Sequence, residues 1–258
     1  MTFEFPYDDW AGIYDEVYAE LTHDIPFYVS QAQSTGGPVL ELGAGTGRIS
    51  IPIASQGIDV VGIDVSPKMI ELANSKAAKL GLSTTCIFQT GDILDLELAE
   101  RFALIILPYR SFQSVLNPVD QKKALNNIRK HLIADGLLVM DTFNPDIEQL
   151  ADKHSVDTPI HLMDVSRKEG GTIVVWGMNE WDQLTQINDI RLIIEYLNEE
   201  GVVNKRIYRD YPQRYSFQYE MEHLFALSGL SILEVYGDFD LGPVTNDSDD
   251  LIWVAKST

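Results

Sequence analysis

Val39-Leu40-Glu41-Leu42-Gly43-Ala44-Gly45-Thr46-Gly47 is a short apolar strand, interrupted by one acid, that runs into three alternating glycines. Arg48 to Ser55 then reads as a helix, stopped by Gln56-Gly57. Glycines let the backbone turn sharply, approach a ligand closely and leave amide N–H groups facing a crevice. Ile58–Ile63 is a second buried strand, and Asp64 closes it. A carboxylate there is placed to accept hydrogen bonds from both hydroxyls of a ribose. Alone, the glycines say little; strand, loop, helix, second strand and closing acid in register say much more.

Outward from this unit the same rhythm continues. Ser66 can cap a helix that starts at Pro67 and runs to about Leu80, closed by Gly81. Strands are predicted at Thr84–Gln89, Phe102–Leu107 and Leu137–Phe143, with a helix over Asp120–Leu132. A helix from about Ser216 to Leu227 and strands at Leu230–Tyr236 and Asp250–Ala255 complete the pattern. Near-continuous apolar strands alternating with helices indicate a parallel sheet covered on both faces. Between them, Ile160–Ser166, Thr172–Trp181, Thr185–Leu197 and Val202–Tyr211 read as four antiparallel strands joined by hairpins. Upstream, Trp10, Ile13, Tyr14, Val17, Tyr18 and Leu21 recur at spacings of three and four, one face of a helix within residues 8–33. The expected fold is α/β: a Rossmann-like, mostly parallel seven-stranded sheet flanked by helices, with an antiparallel β insertion. Residues 1–149 and 214–258 form the expected main domain, and 150–213 the insertion, a lid or an interface.

The chain has 258 residues, 39 Asp and Glu against 19 Lys and Arg, and a formal net charge of -20. Such an excess repels phosphate backbones and anionic lipid surfaces, so neither nucleic acid nor membrane is expected as the main partner. The one cysteine, Cys86, allows no intrachain disulfide and no cysteine-ligated zinc site. The first residues, MTFEFPYDDW, lack the basic and apolar regions of a signal peptide, and no apolar run spans a bilayer. A cytoplasmic monomer or homodimer is the expectation.

Dinucleotide-binding loops place their glycines as GxGxxG and set a helix N-terminus against a pyrophosphate. Here the third glycine comes one residue early, position 48 is Arg, and Glu41 lies beside the loop. A carboxylate is unwelcome near a pyrophosphate and tolerable near a cation. Both departures point away from a nicotinamide dinucleotide and toward S-adenosyl-L-methionine, a nucleoside with a positive centre and no phosphate.

With these residues in view, the chain resembles the class I S-adenosylmethionine-dependent methyltransferases. Residues 39–47 look like their first motif, Gly62-Ile63-Asp64-Val65-Ser66-Pro67-Lys68-Met69 is similar to their second, and Gln89-Thr90-Gly91-Asp92-Ile93 to their third. Leu107-Pro108-Tyr109-Arg110-Ser111-Phe112 fits the fourth strand's end. His131 to Leu137 mimics a helix-to-strand motif usually written with Pro and two Gly; Ala134-Asp135-Gly136 stands there instead, which implies a changed turn without loss of function. The tyrosine-rich first helix, Phe143-Asn144-Pro145 and the insertion look like the small-molecule branches, among them the glycine and amino-sugar N-methyltransferase-like groups.

The resemblance implies a cofactor cradle of Glu41, Gly43, Ala44, Gly45 and Gly47. It implies Asp64 on the ribose, Val65 and Met69 beside adenine, Asp92 and Ile93 at the adenine amino group, and the Leu107 backbone at the methionine amino group. Tyr109, Arg110 and Phe112 are expected to wall the acceptor pocket, and Tyr14 and Tyr18 to close over the methyl group; Tyr14, Tyr109 and Arg110 are the candidate catalytic residues. Competing readings remain for each residue: a capping role for Asp64, an Asx turn for Asp92, a salt bridge for Glu41, plain packing for Met69, Ile93 and the tyrosines. Among His23, His131, His154, His161 and His223 no metal-ligand spacing is present, no metal is expected, and only His161 is a candidate base. Arg191, Arg206, Arg209 and Arg214 either bind an anionic acceptor or pair with nearby acids. Asp238, Asp240, Asp247, Asp249 and Asp250 lack calcium-loop spacing and read as a solvated hairpin loop. The expected activity is methyl transfer to a small-molecule acceptor at N or O. A non-catalytic S-adenosylmethionine-binding protein and a nicotinamide-dependent oxidoreductase are the alternatives.

Overall fold

A computed structural model describes residue 8 and residues 10–151 and 158–258; His154 lies outside the described residues. In chain order the elements are α1 (Tyr14–Val17), α2 (Ile25–Thr35), β1 (Val39–Leu42), α3 (Ser50–Ala54), β2 (Val60–Asp64) and α4 (Pro67–Lys79). There follow β3 (Cys86–Thr90), β4 (Phe102–Leu107), α5 (Pro118–His131), β5 (Leu132–Phe143) and α6 (Ile147–Ala151). Then come β6 (Ile160–Ser166), β7 (Thr172–Asp182), β8 (Ile187–Leu197), β9 (Val203–Arg214), α7 (Gln218–Leu227), β10 (Leu230–Tyr236) and β11 (Asp250–Ser257).

Seven strands form one sheet in the order β10-β11-β5-β4-β1-β2-β3, and β6 to β9 form a second in sequence order. β1 to β5 pair in parallel, and β11 is antiparallel to both β5 and β10. Strand order reverses between β1 and β4. In an open sheet, ligands collect beyond the carboxyl ends of the strands at such a switch point.

The strands alternate their faces with a period of two. Leu104 and Ile106 join Phe27, Tyr28, Ile53 and Ile70 in the core under α2, α3 and α4. Ile105 and Leu107 join Leu125, Ile128, Phe225 and Trp253 under α5 and α7. Both faces are covered, which is why β4 reads as unbroken apolar sequence and is buried throughout. α4 starts as expected: the Ser66 hydroxyl accepts from Met69 N–H at 3.2 Å, Pro67 occupies the first turn, and Gly81 takes φ +73° beyond its end.

The second sheet packs Val165, Ile173, Val175, Leu192 and Ile194 against Trp10, Ile13, Val17 and Met69. The N-terminal segment therefore lies between that sheet and α4. Buried Gln113 ties down both ends of the segment that carries the second sheet: its Oε1 accepts from Phe143 N–H at 2.9 Å and its Nε2 donates to the Arg214 carbonyl at 3.1 Å.

The single helical face expected over residues 8–33 is two helices. Residues Tyr18 to Asp24 separate them, Pro26 sits in the first turn of α2, and the Asp24 carboxylate is taken up by Arg48. β5 begins at Leu132, earlier than the expected Leu137, so the changed motif lies within the strand, and Asp135 there adopts a left-handed φ of +62°. His131 closes α5 with its Nδ1 2.7 Å from the Asn127 carbonyl, and its Nε2 accepts from Leu98 N–H at 3.1 Å, the bonding pattern of a neutral imidazole. Among the described residues no helix is long and apolar enough to cross a membrane.

Candidate active site

A cavity of about 450 Å³ lies at the carboxyl ends of β1, β2 and β4. Glu41, Gly43, Ala44 and Gly45 form its floor, and Asp64, Val65 and Met69 its β2–α4 side. Asp92 and Ile93 line it after β3, Leu107, Tyr109 and Arg110 after β4, and Tyr14 and Tyr18 from the N-terminal segment.

The three glycines have separate reasons to be there. Gly43 takes φ +76°, and a Cβ on it would meet Ser111 Oγ at 2.6 Å, so the loop lies directly on the β4 turn. Gly45 takes φ +52° with nothing within 4 Å of an added Cβ: its missing side chain leaves open space. Gly47 takes φ +81° and abuts the Phe88 ring, where a Cβ would come within 2.8 Å. Gly47 is absent from the cavity wall, so its place in the expected cradle is corrected to one of packing.

The loop amides are already used. Gly43 and Ala44 N–H both donate to the Ile63 carbonyl, at 2.8 and 2.9 Å, and Gly45 N–H donates to Asp64 Oδ2 at 2.8 Å. Asp64 Oδ1 accepts from Ser66 N–H at 2.9 Å, so this carboxylate braces the loop as well as facing the cavity. A pyrophosphate needs free backbone donors, and these three are spent. The wall also carries four acids, Glu41, Asp64, Asp92 and Asp120, against two arginines. Both arginines are neutralised from outside the wall: Arg48 by a bidentate bond to Asp24 at 2.6 and 2.7 Å, Arg110 by Asp250 at 2.8 and 3.1 Å. Open space at Gly45, spent amides and surplus carboxylate fit S-adenosylmethionine, which is cationic and carries no phosphate.

Burial sets the protonation of the wall. Glu41 is 2% exposed, its Oε2 accepts from the Ser50 hydroxyl, and burial pushes its carboxyl up to about 8. Burial also raises Asp64, although the Ser66 and Gly45 amides oppose it. Tyr14, Tyr18 and Tyr109 are all raised by burial, so these phenols stay neutral and are poor bases near pH 7. Their rings adjoin: Tyr14 and Tyr18 centroids lie 4.7 Å apart, Tyr18 and Tyr109 5.4 Å, and Trp10 stacks on Tyr18 at 6.0 Å. Tyr211 of β9 closes the group, 6.3 Å from Trp10.

Several expectations fall outside the cavity. Phe112 is buried in the core under α5 and does not line the acceptor side. His161, on β6, pairs with Asp164 at 2.8 Å and is likewise away from the wall. Arg191 and Arg206 are bound to Asp210 and Glu195 across adjacent strands, which is the pairing alternative. Asp92 makes the Asx turn, Oδ1 accepting from Leu94 N–H at 2.8 Å, and still lines the cavity.

Sequence reasoning passed over Arg48, Asp120 and Gln213, which also line the cavity. It passed over Asp141 on β5 too. An acid within the apolar run Leu137–Phe143 is the same signal that singled out Glu41 in β1.

A parallel sheet reversing at β1 and β4, with this loop and this cavity, is the fold of the class I S-adenosylmethionine-dependent methyltransferases. A methyltransferase domain family model matches residues 33–195, and the chain belongs to that family. S-adenosyl-L-methionine is its cofactor. The CcbJ methyltransferase of Streptomyces caelestis superimposes with a TM-score of 0.76 at 22% identity, covering 92% of this chain and 90% of that one. The glycine/sarcosine N-methyltransferase of Aphanothece halophytica is 23% identical over 93% of this chain and 83% of its own. An uncharacterized RNA methyltransferase of Parasynechococcus marenigrum is 40% identical over 86 residues, 32% of this chain, but the chain spans only 18% of that protein.

Proposed function

We propose that the protein methylates the nitrogen of a small amine. The observation that carries this is the wall itself: neutral tyrosine rings backed by more carboxylates than free cations. Such a surface attracts an alkylammonium through ring faces and charge together. It offers no unpaired arginine to a phosphorylated or strongly anionic acceptor.

In this reading residues 1–149 and 214–258 hold the cofactor, and the second sheet within 150–213 walls the acceptor. When bound, S-adenosylmethionine supplies an electrophilic methyl carbon and a neutral thioether leaving group. Asp64 takes the ribose hydroxyls, Val65 and Met69 flank the adenine, and Asp92 and Ile93 meet its amino group. Tyr14, Tyr18 and Tyr109 orient the amine, which must arrive neutral to offer its lone pair. Arg110, fixed by Asp250, shapes the same side. The chain's contribution is alignment and exclusion of water, and well-oriented reactants gain about 7–11 kcal/mol in this way. The product's extra proton has the wall carboxylates as its acceptors, since the phenols are held neutral.

The sequence likeness to a glycine/sarcosine N-methyltransferase is consistent with a nitrogen acceptor, and the acid-rich wall favours it independently. The test is transfer of labelled methyl from S-adenosylmethionine to a panel of glycine, sarcosine, ethanolamine and glucosamine, beside catechol and hydroxybenzoate. Label on the amines alone is expected. Label on the hydroxyl compounds alone replaces N- by O-methylation, and tight binding with no transfer favours a non-catalytic S-adenosylmethionine-binding protein.

A further inference from the structure

Asp141 is buried on β5, 2% exposed, and is absent from the cavity wall. Its Oδ1 accepts from the Tyr28 hydroxyl at 2.6 Å and from Tyr109 N–H at 2.7 Å. Its Oδ2 accepts from Arg110 N–H at 2.8 Å. Both of those amides belong to residues with left-handed backbone, Tyr109 at φ +53° and Arg110 at φ +61°. Two successive non-glycine residues in that region are unfavourable and persist only when the surroundings impose them. Here the imposing group is one carboxylate with an oxygen for each amide. The left-handed step carries the Tyr109 ring to its place beside Tyr18 and 5.5 Å from the Arg48 guanidinium carbon.

We propose that Asp141 is the positioning residue of the acceptor wall: its two oxygens hold the Tyr109-Arg110 step and thereby set the Tyr109 ring against the acceptor. The claim rests on reading that wall as the acceptor side. Tyr28, on α2, is fully buried and fixes the carboxylate from the opposite side of the turn. Asparagine cannot replace it, because one oxygen becomes an NH2 facing a backbone N–H.

The test compares wild type with Asp141→Asn and Tyr28→Phe by backbone amide exchange, S-adenosylhomocysteine affinity, and kinetics with the panel amine that accepts methyl. In Asp141→Asn, exchange at Tyr109 and Arg110 should speed up about tenfold or more, with Ile106 in β4 unchanged. The amine KM should rise about tenfold with a smaller fall in kcat, while S-adenosylhomocysteine affinity stays within about threefold. Tyr28→Phe frees only Oδ1, so the Tyr109 amide should accelerate more than the Arg110 amide. This milder variant decides the matter if Asp141→Asn does not fold. Unchanged exchange at both amides overturns the proposal, as does faster exchange with unaltered amine kinetics. If no panel amine is methylated, the reading of the wall fails, and exchange alone still decides whether Asp141 holds the turn.

Discussion

Glu41 sits at the end of β1 with a serine hydroxyl for a partner, and burial lifts its carboxyl from 4.5 to about 8. A carboxyl raised on folding contributes its stability while protonated; that contribution is present below about pH 4.5 and is lost as pH rises through about 8. Glu41→Gln stays neutral throughout. Its melting temperature should exceed wild type above pH 8 and show no gain near pH 4.5, by calorimetric scans across that range. A cation entering the cavity pulls Glu41 toward its ionised form. Binding of S-adenosylmethionine at pH 7 should therefore release a proton, visible as a dependence of binding heat on buffer ionisation enthalpy and absent in Glu41→Gln. Asp64 differs, since two backbone amides already favour its ionised form. Asp64→Ala should weaken S-adenosylhomocysteine binding by about tenfold or more in titration calorimetry, the loss of charge-assisted hydrogen bonds worth roughly 1.5–3 kcal/mol.

At the scale of elements, the β1–α3 loop divides its work between glycines. Gly43→Ala imposes a left-handed alanine and a clash with Ser111, so it should destabilise the fold by about 1–3 kcal/mol in urea unfolding. Gly45→Ala meets no protein atom, and its Cβ enters the open space of the cavity. It should therefore cost less stability than Gly43→Ala and more cofactor affinity. Reversal of that order would show that the open space at Gly45 is not where the cofactor lies. The N-terminal segment is fixed on both sides: Asp15 accepts from Lys76 Nζ of α4 at 2.8 Å, and Glu16 accepts from Arg167 Nε beside the second sheet at 2.8 Å. Tyr14 and Tyr18 are carried into the wall by an element of only four helical residues, held by packing and these pairs and not by its own helical length.

The molecule as a whole carries a formal net charge of -20, so its folded state works against its own repulsion. Raising sodium chloride from about 10 to 300 mM shortens the Debye length from roughly 30 Å to below 10 Å. The melting temperature should rise over that range, because its exposed ion pairs are too few to offset the relief. A fall would assign the balance to those pairs instead.

The seven-stranded sheet was legible from residues 39–143 and 230–255 because buried parallel strands are near-continuous apolar runs, and the breaks between elements carry local signals: Gly43 after β1, Ser66-Pro67 opening α4, Gly81 closing it. Most of the cofactor side was legible too, since the glycine loop, Asp64 and Asp92 lie at fixed offsets from strand ends. The acceptor side was read only in fragments. Tyr14, Tyr109 and Tyr211 come from three distant segments, and Arg48 becomes a neutralised wall residue only through Asp24, at the end of the break between α1 and α2. Gly47 and Phe112 carried the right pattern but turned toward the core, and Asp141 earned its place through two amides and a hydroxyl from other elements. Local sequence thus determined which strands, turns and loop this protein has, because propensity and burial act over a few neighbours. Which side chains face one another across the cavity was decided by packing between segments far apart in the chain.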